Sequence, residues 1–235
     1  MKIKLSKESI ETLSTISKGR HRTNLLKRSE QKALAYLVQR IPSWMSSDML
    51  TFIGFIGSLT TMLSFILAKY VQREYLLLGV LGFAINWFGD SLDGRFAYYR
   101  NRPRKWYGFS LDITVDWITT VLIGTGFIIY TDGVLEMLGF GFVVMYGWAM
   151  ITTLLKYKIT DKYTIDTGLF GPTEARVLIS LILVLEVLYP NSINFSVIFA
   201  CAFLFVVNII DTVNLLRLAD ARDITEREKK LKEEK

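Results

Sequence analysis

The chain has 235 residues, 51% of them hydrophobic, and a formal net charge of +6 at pH 7. One cysteine, Cys201, excludes an intramolecular disulfide, and one histidine, His21, excludes a metal or catalytic site built on paired histidines. Chemistry in this chain therefore falls to carboxylates. The apolar residues are massed in long runs and most of the 28 Lys and Arg fall between them, which is the pattern of a polytopic membrane protein and not of a soluble domain.

The N-terminus, MKIKLSKESIETLSTISKGRHR, has no apolar core followed by a small-residue cleavage site, so no cleavable signal peptide is expected. Residues 25–41 place Leu34, Leu37, Val38 and Ile41 on one helical face and turn Lys32, Gln39 and Arg40 away. A basic, amphipathic segment of this kind predicts a helix lying in the membrane interface. Pro42 and the Ser46-Ser47-Asp48 run then break and cap the chain. Six apolar stretches follow, at about 49–69, 75–99, 108–130, 134–155, 173–189 and 193–216. Each is near the ~20 residues that cross a ~30 Å hydrocarbon core. The expected fold is thus an all-α integral membrane protein of six transmembrane helices with an N-terminal interfacial amphipathic helix. It divides into a basic segment (1–47), a membrane domain (48–217) and a charged helical tail (218–235).

Basic residues set the expected orientation. Ten Lys and Arg precede residue 49, and Arg100, Arg102, Arg104 and Lys105 lie in the second joint. Lys156, Lys158 and Lys162 lie in the fourth, and seven more follow from Arg217 onward. The opposite side holds only Lys69 and Arg73. Both termini are expected in the cytoplasm, and six spans satisfy that parity.

The acids inside the spans carry the functional signal, because a carboxylate in hydrocarbon is costly. The second stretch ends FGDSLDGRFAYYR and the third begins GFSLDITVDW. Asp90 and Asp93 are three apart and Asp112 and Asp116 four apart, so each pair shares a helical face. A short joint makes the two helices antiparallel neighbours, with all four carboxylates near their cytoplasmic ends. Four converging carboxylates stay ionised only if cations neutralise them, and hard oxygen ligands suit Mg²⁺, Mn²⁺ or Ca²⁺.

Asp90, Asp93, Gly94, Ala97, Gly108, Asp112 and Asp116 together resemble the signature of the CDP-alcohol phosphotransferases: Asp, two residues, Asp-Gly, two residues, Ala-Arg, a spacer, Gly, three residues, Asp, three residues, Asp. At background frequencies of roughly 5–8% per residue, seven such matches arise by chance on the order of once in 10⁸ positions. Two departures stand out. Tyr98 occupies the usual Arg position, and the spacer before Gly108 is one residue longer than the common form.

The resemblance implies a membrane enzyme of bacterial or archaeal inner-membrane type in phospholipid synthesis. It would transfer a phosphoalcohol group from a CDP-linked donor, CDP-diacylglycerol, to a small polar alcohol such as inositol phosphate or glycerol phosphate, with release of CMP. Two Mg²⁺ or Mn²⁺ ions would be held by Asp90, Asp93, Asp112 and Asp116, and Asp116 would also be the general base. Thr51, Gly94, Ala97 and Gly108 would line the nucleotide. Arg100 would stand in for the missing guanidinium, although it lies about 200° around a regular helix from Tyr98. Arg176 and Glu174, in Gly171-Pro172-Thr173-Glu174-Ala175-Arg176, would face the acceptor. Thr173 and Glu174 also fit a helix start, and Asn208 and Asp211 are polar positions suited to hydrogen bonding within the bundle.

A homodimer is implied by the same resemblance, and Gly139, Gly141 and Gly147 would permit close helix approach. The partners are then the donor, the alcohol and the lipid bilayer, with no nucleic acid. Two other functions fit the acids. One uses CDP-ethanolamine or CDP-choline with a lipid alcohol. The other is a cation transporter, whose acids usually lie near the bilayer midplane on interrupted helices.

Overall fold

The computed structural model describes residues 27–160 and 171–233. The readings of the first 26 residues, His21 included, and of Lys162 fall outside them. The described residues form seven α-helices: α1 (Lys27–Val38), α2 (Ser47–Tyr70), α3 (Leu76–Tyr99), α4 (Lys105–Tyr130), α5 (Glu136–Thr160), α6 (Pro172–Leu188) and α7 (Ser192–Glu233). Single 3₁₀ turns at Arg73–Tyr75 and Gly133–Leu135 lead into α3 and α5, and no strand occurs among the described residues.

Five of the helices, α2, α3, α4, α5 and α7, are long and apolar enough to cross a membrane. The sixth apolar stretch forms α6, whose 17 residues lie at the short limit for a span. Large apolar side chains point outward along these helices: Phe195 and Phe199 on α7 are 77% and 75% exposed, and Phe140 on α5 is 57% exposed. Lipid answers such a surface and water does not. The chain is a helical membrane protein.

The closest helix pair is α2 against α3, and glycines set its spacing. A Cβ at Gly57 would lie 2.4 Å from the Asn86 amide nitrogen, and one at Gly89 would lie 2.3 Å from the Gly54 nitrogen. Without side chains at Gly54, Gly57, Gly82 and Gly89 the two backbones approach directly, which dispersion rewards where no hydrophobic drive acts between helices. A polar rung then ties in α4. Asn86 Nδ2 donates to the Gly54 carbonyl (3.1 Å) and to Ser58 Oγ (3.0 Å), and Ser58 and Thr119 hydroxyls pair at 2.8 Å.

Gly139 and Gly147, read from sequence as surfaces for a second copy, serve packing within the chain instead. A Cβ at Gly139 would meet Ile128 and the Gly124 carbonyl, and one at Gly147 would meet the Trp117 ring. Only Gly141 of the three faces open space. The α5–α7 contact carries hydrogen bonds: Asn208 Nδ2 donates to the Met145 carbonyl (2.8 Å) and Trp148 Nε1 to Thr212 Oγ1 (3.0 Å). Asn208 is thus a bundle residue.

Both ends of the bundle are tied. At the end where α2 finishes, the buried Glu186 accepts from Tyr130 Oη (2.9 Å) and from the Asn191 and Ile193 amides (3.0 and 2.8 Å), capping the start of α7. Lys69 pairs with Asp132 beside it at 2.5 Å. At the opposite end the tail continues α7 without a break to Glu233, and Arg222 donates to the Lys158 (3.1 Å) and Ile159 carbonyls at the end of α5.

The first helix spans 12 residues and turns the expected face inward. Leu34 and Val38 are fully buried against Leu50, Leu92 and Phe96, with Leu37 and Ile41 at the margin. Its apolar face is covered by α2 and α3.

The glycine seam predicts a sharp contrast. Gly89→Ala pushes a methyl group into backbone, which cannot yield cheaply, and should cost about 1–3 kcal/mol. Gly141→Ala, whose methyl group meets nothing, should leave thermal unfolding unchanged or slightly raised. Equal melting temperatures for the two variants would show that the seam does not set the α2–α3 distance.

Candidate functional site

Three of the four acids expected to converge do so, on helices that the short Arg100–Arg104 joint holds antiparallel. Asn101 makes that turn with φ of 53°, in the left-handed region that Asn tolerates. Carboxylate oxygens of Asp90, Asp112 and Asp116 lie within 4.8 Å of one another. A hard cation with oxygen ligands at ~2.0–2.6 Å reaches donors about 4–5 Å apart across itself. The donor set therefore fits Mg²⁺, Mn²⁺ or Ca²⁺ in spacing and in chemistry.

Asp93 lies one turn further along α3 and is held differently. Its Oδ2 accepts from Thr51 Oγ1 at 2.6 Å, and its Oδ1 from the Gly94 amide. These donors orient the carboxylate without adding charge. Thr51 reaches it from the first turns of α2, where Ser46 caps the helix by accepting from the Met49 amide at 3.1 Å.

Arg176 enters from α6. Its Nη2 is 2.7 Å from Asp90 Oδ2, with side-chain exposures of 13% and 23%. The bond is charge-assisted and largely shielded from solvent, so removing either partner would leave the other charge poorly compensated. Arg176 also stands among the lining residues of an apolar groove of about 400 Å³ between α3 and α6, with Phe83, Trp87, Thr173, Val177 and Leu181. Tyr146 on α5 lies within electrostatic reach of Asp116, Arg176 and Asp90.

The remaining expected residues fall into three groups. Gly94 and Ala97 follow Asp93 on α3, and Gly108 opens α4 with no atom within 4 Å of a Cβ placed there, so ligand could approach its backbone. Arg100 is turned away from the acids: it donates to the Ser43 (2.7 Å) and Pro42 (3.2 Å) carbonyls and lies over the Phe96 ring at 4.5 Å. That placement anchors the α1–α2 joint and does not fill the position left by Tyr98. Glu174 is buried and its Oε2 accepts from the Gly171 amide at 3.1 Å, closing the first turn of α6.

Sequence inspection missed two features. Arg95, between Gly94 and Phe96, is buried with Glu30 of α1 at 3.8 Å and donates to the Ser91 carbonyl. Its partner lies 65 positions earlier, in a segment that reads only as an amphipathic surface. The Arg176–Asp90 pair spans 86 positions, and no local spacing announces it.

Neither a protein-family model nor a curated protein matches this chain. The site is read on its own chemistry.

The buried pair of α1 and α3 yields a prediction. Arg95→Met leaves Glu30 buried without its cation and should destabilise the protein by roughly 3 kcal/mol. Replacing both, Glu30→Leu with Arg95→Met, should recover most of that loss in thermal unfolding. A double variant as unstable as Arg95→Met alone would mean that the two side chains do not act as a pair.

Proposed function

We propose that this protein is a CDP-alcohol phosphotransferase, carrying a phosphatidyl group from CDP-diacylglycerol to a small polar alcohol. The observation that supports it is the convergence of Asp90, Asp112 and Asp116 from two helices onto one 4.8 Å cluster, with Asp93 a turn away. A cation transporter would draw its acids from interrupted helices near mid-span. These acids lie instead on unbroken helices, in the halves that the Arg100–Arg104 joint connects.

On this reading the apolar groove beside Arg176 takes an acyl chain, which favours a lipid-linked substrate. Gly108 leaves its backbone open to the nucleotide, and Thr51 holds Asp93 in place. Divalent cations held by the acids would neutralise charge on the donor diphosphate and on the departing CMP. The acceptor oxygen forms a bond to the phosphorus that carries the diacylglycerol, and the bond from that phosphorus to the CMP oxygen breaks. The Asp116 carboxylate takes the hydroxyl proton as the oxygen attacks. Arg176 offers its guanidinium to an anionic group on the acceptor.

The arrangement in the membrane follows from the same reading. Six spans, with α6 as the fifth, put both termini and the acids in the cytoplasm, and α1 lies at that interface with its outer face toward the headgroups. Two copies associate through the outer faces of the bundle, and each site is complete in one chain.

Two experiments test the reaction. Purified protein supplied with CDP-diacylglycerol and a panel of alcohols should release CMP only with Mg²⁺ or Mn²⁺. No CMP from any donor would reject the enzyme assignment, and release only from CDP-ethanolamine or CDP-choline with diacylglycerol would place the lipid on the acceptor. Asp116→Asn should lose more than tenfold in kcat, about 1.36 kcal/mol of barrier or more, while still binding the donor. Retained turnover would remove Asp116 as the base.

A further inference from the structure

Cations stacked on aromatic rings gather at one end of the molecule. Arg40 lies over the Tyr36 ring at 3.4 Å, Arg100 over Phe96 at 4.5 Å, Arg104 over Tyr107 at 4.1 Å and Lys105 over Trp106 at 5.1 Å. Such contacts occur roughly once per 70–80 residues in proteins, whereas these four fall between positions 36 and 107. The segments that carry them form one surface. Arg100 donates to the Ser43 (2.7 Å) and Pro42 (3.2 Å) carbonyls and Arg104 pairs with Asp48, so the α3–α4 joint is bonded to the α1–α2 joint. Trp44 and Trp106 stand on it 69% and 65% exposed.

Charge on this surface is one-sided. Asp48 is answered by Arg104, and Glu30 is buried against Arg95. Arg40, Arg102 and Lys105 are exposed, and none forms an ion pair with an acid of the described residues. The other end of the bundle differs: Lys69 pairs there with Asp132 at 2.5 Å, and among the described residues no cation of that end lies over a ring. Stacking occupies the flat face of a guanidinium and leaves its in-plane N–H groups to reach an oxyanion. The apolar bodies of Trp44 and Trp106 suit the boundary where acyl chains meet headgroups. Only a bilayer offers phosphate and an apolar layer side by side.

We propose that the joined α1–α2 and α3–α4 surface binds anionic phospholipid, with Arg40, Arg102 and Lys105 on the headgroup phosphates and Trp44 and Trp106 seated below them. The ammonium of a zwitterionic headgroup meets only cations and the already paired Asp48, so the preference is for net negative lipid. Each cation near an anionic lipid surface is worth about fivefold. The inference does not depend on the reaction assigned to the acids.

The test places the full chain in nanodiscs of equimolar phosphatidylglycerol and phosphatidylcholine and counts the lipids it retains by native mass spectrometry. Wild type should retain phosphatidylglycerol severalfold over phosphatidylcholine, and the preference should shrink as ammonium acetate is raised. A triple variant, Arg40→Gln with Arg102→Gln and Lys105→Gln, should lose most of it. Equal charge removed from the tail, by Arg227→Gln with Lys229→Gln and Lys230→Gln, should leave it intact. Should the triple variant fail to fold, Arg102→Gln with Lys105→Gln carries the test with a smaller loss. Equal retention of the two lipids by wild type would overturn the proposal and leave an acidic protein as the partner of this surface. A preference that survives the triple variant, or that the tail variant loses as fully, would also overturn it. So would its abolition by millimolar glycerol phosphate, which would mark a site for soluble phosphate.

Discussion

Negative charge placed among apolar helices has to be answered, and that constraint organises this molecule. Asp90, Asp93, Asp112 and Asp116 sit on helices whose outer surfaces face lipid, where an uncompensated carboxylate costs several kcal/mol. Each acid of known partner is answered in its own way: Asp90 by the Arg176 guanidinium, and Asp93 by a hydroxyl and a backbone amide.

Holding that balance requires the two acid-bearing helices to stay in register, and the scaffold is built for it. The glycine seam brings α2 into backbone contact with α3 next to Asp90: the Gly54 Cβ position lies 3.1 Å from the Asp90 amide nitrogen. The Asn86–Ser58–Thr119 rung carries that register across to α4. From the outside, α1 lays Leu34 and Val38 on Leu92 and Phe96 and sets Glu30 against Arg95. The segment that sequence alone reads as membrane-surface helix packs as a clamp on the helix that carries Asp90 and Asp93.

Much of this was legible in the residues. Long apolar runs mark helices because a helix alone satisfies its backbone in hydrocarbon, so the expected limits match the observed ones to within a few residues for α2, α3 and α6. Helical spacing brought Asp112 and Asp116 together correctly, since four positions return to one face, while Asp93 stands outside the cluster that Asp90 joins. What stayed hidden was pairing between distant segments. Gly139 and Gly147 announce close packing but not against what, and they pack against α4. Arg176 looks like an acceptor contact or an anchor until Asp90 is seen beside it. Arg100 is two residues from an expected arginine, yet the end of α3 sends it to the Pro42 and Ser43 carbonyls.

The account stands on whether divalent metal and a cytidine diphosphate meet at these carboxylates. The most direct measurement is a structure of the protein with Mn²⁺ and a non-reactive CDP-donor analogue, with manganese located by anomalous scattering. The account predicts manganese among Asp90, Asp93, Asp112 and Asp116, in contact with the diphosphate. Manganese absent from the cluster, with the analogue bound elsewhere, would contradict it.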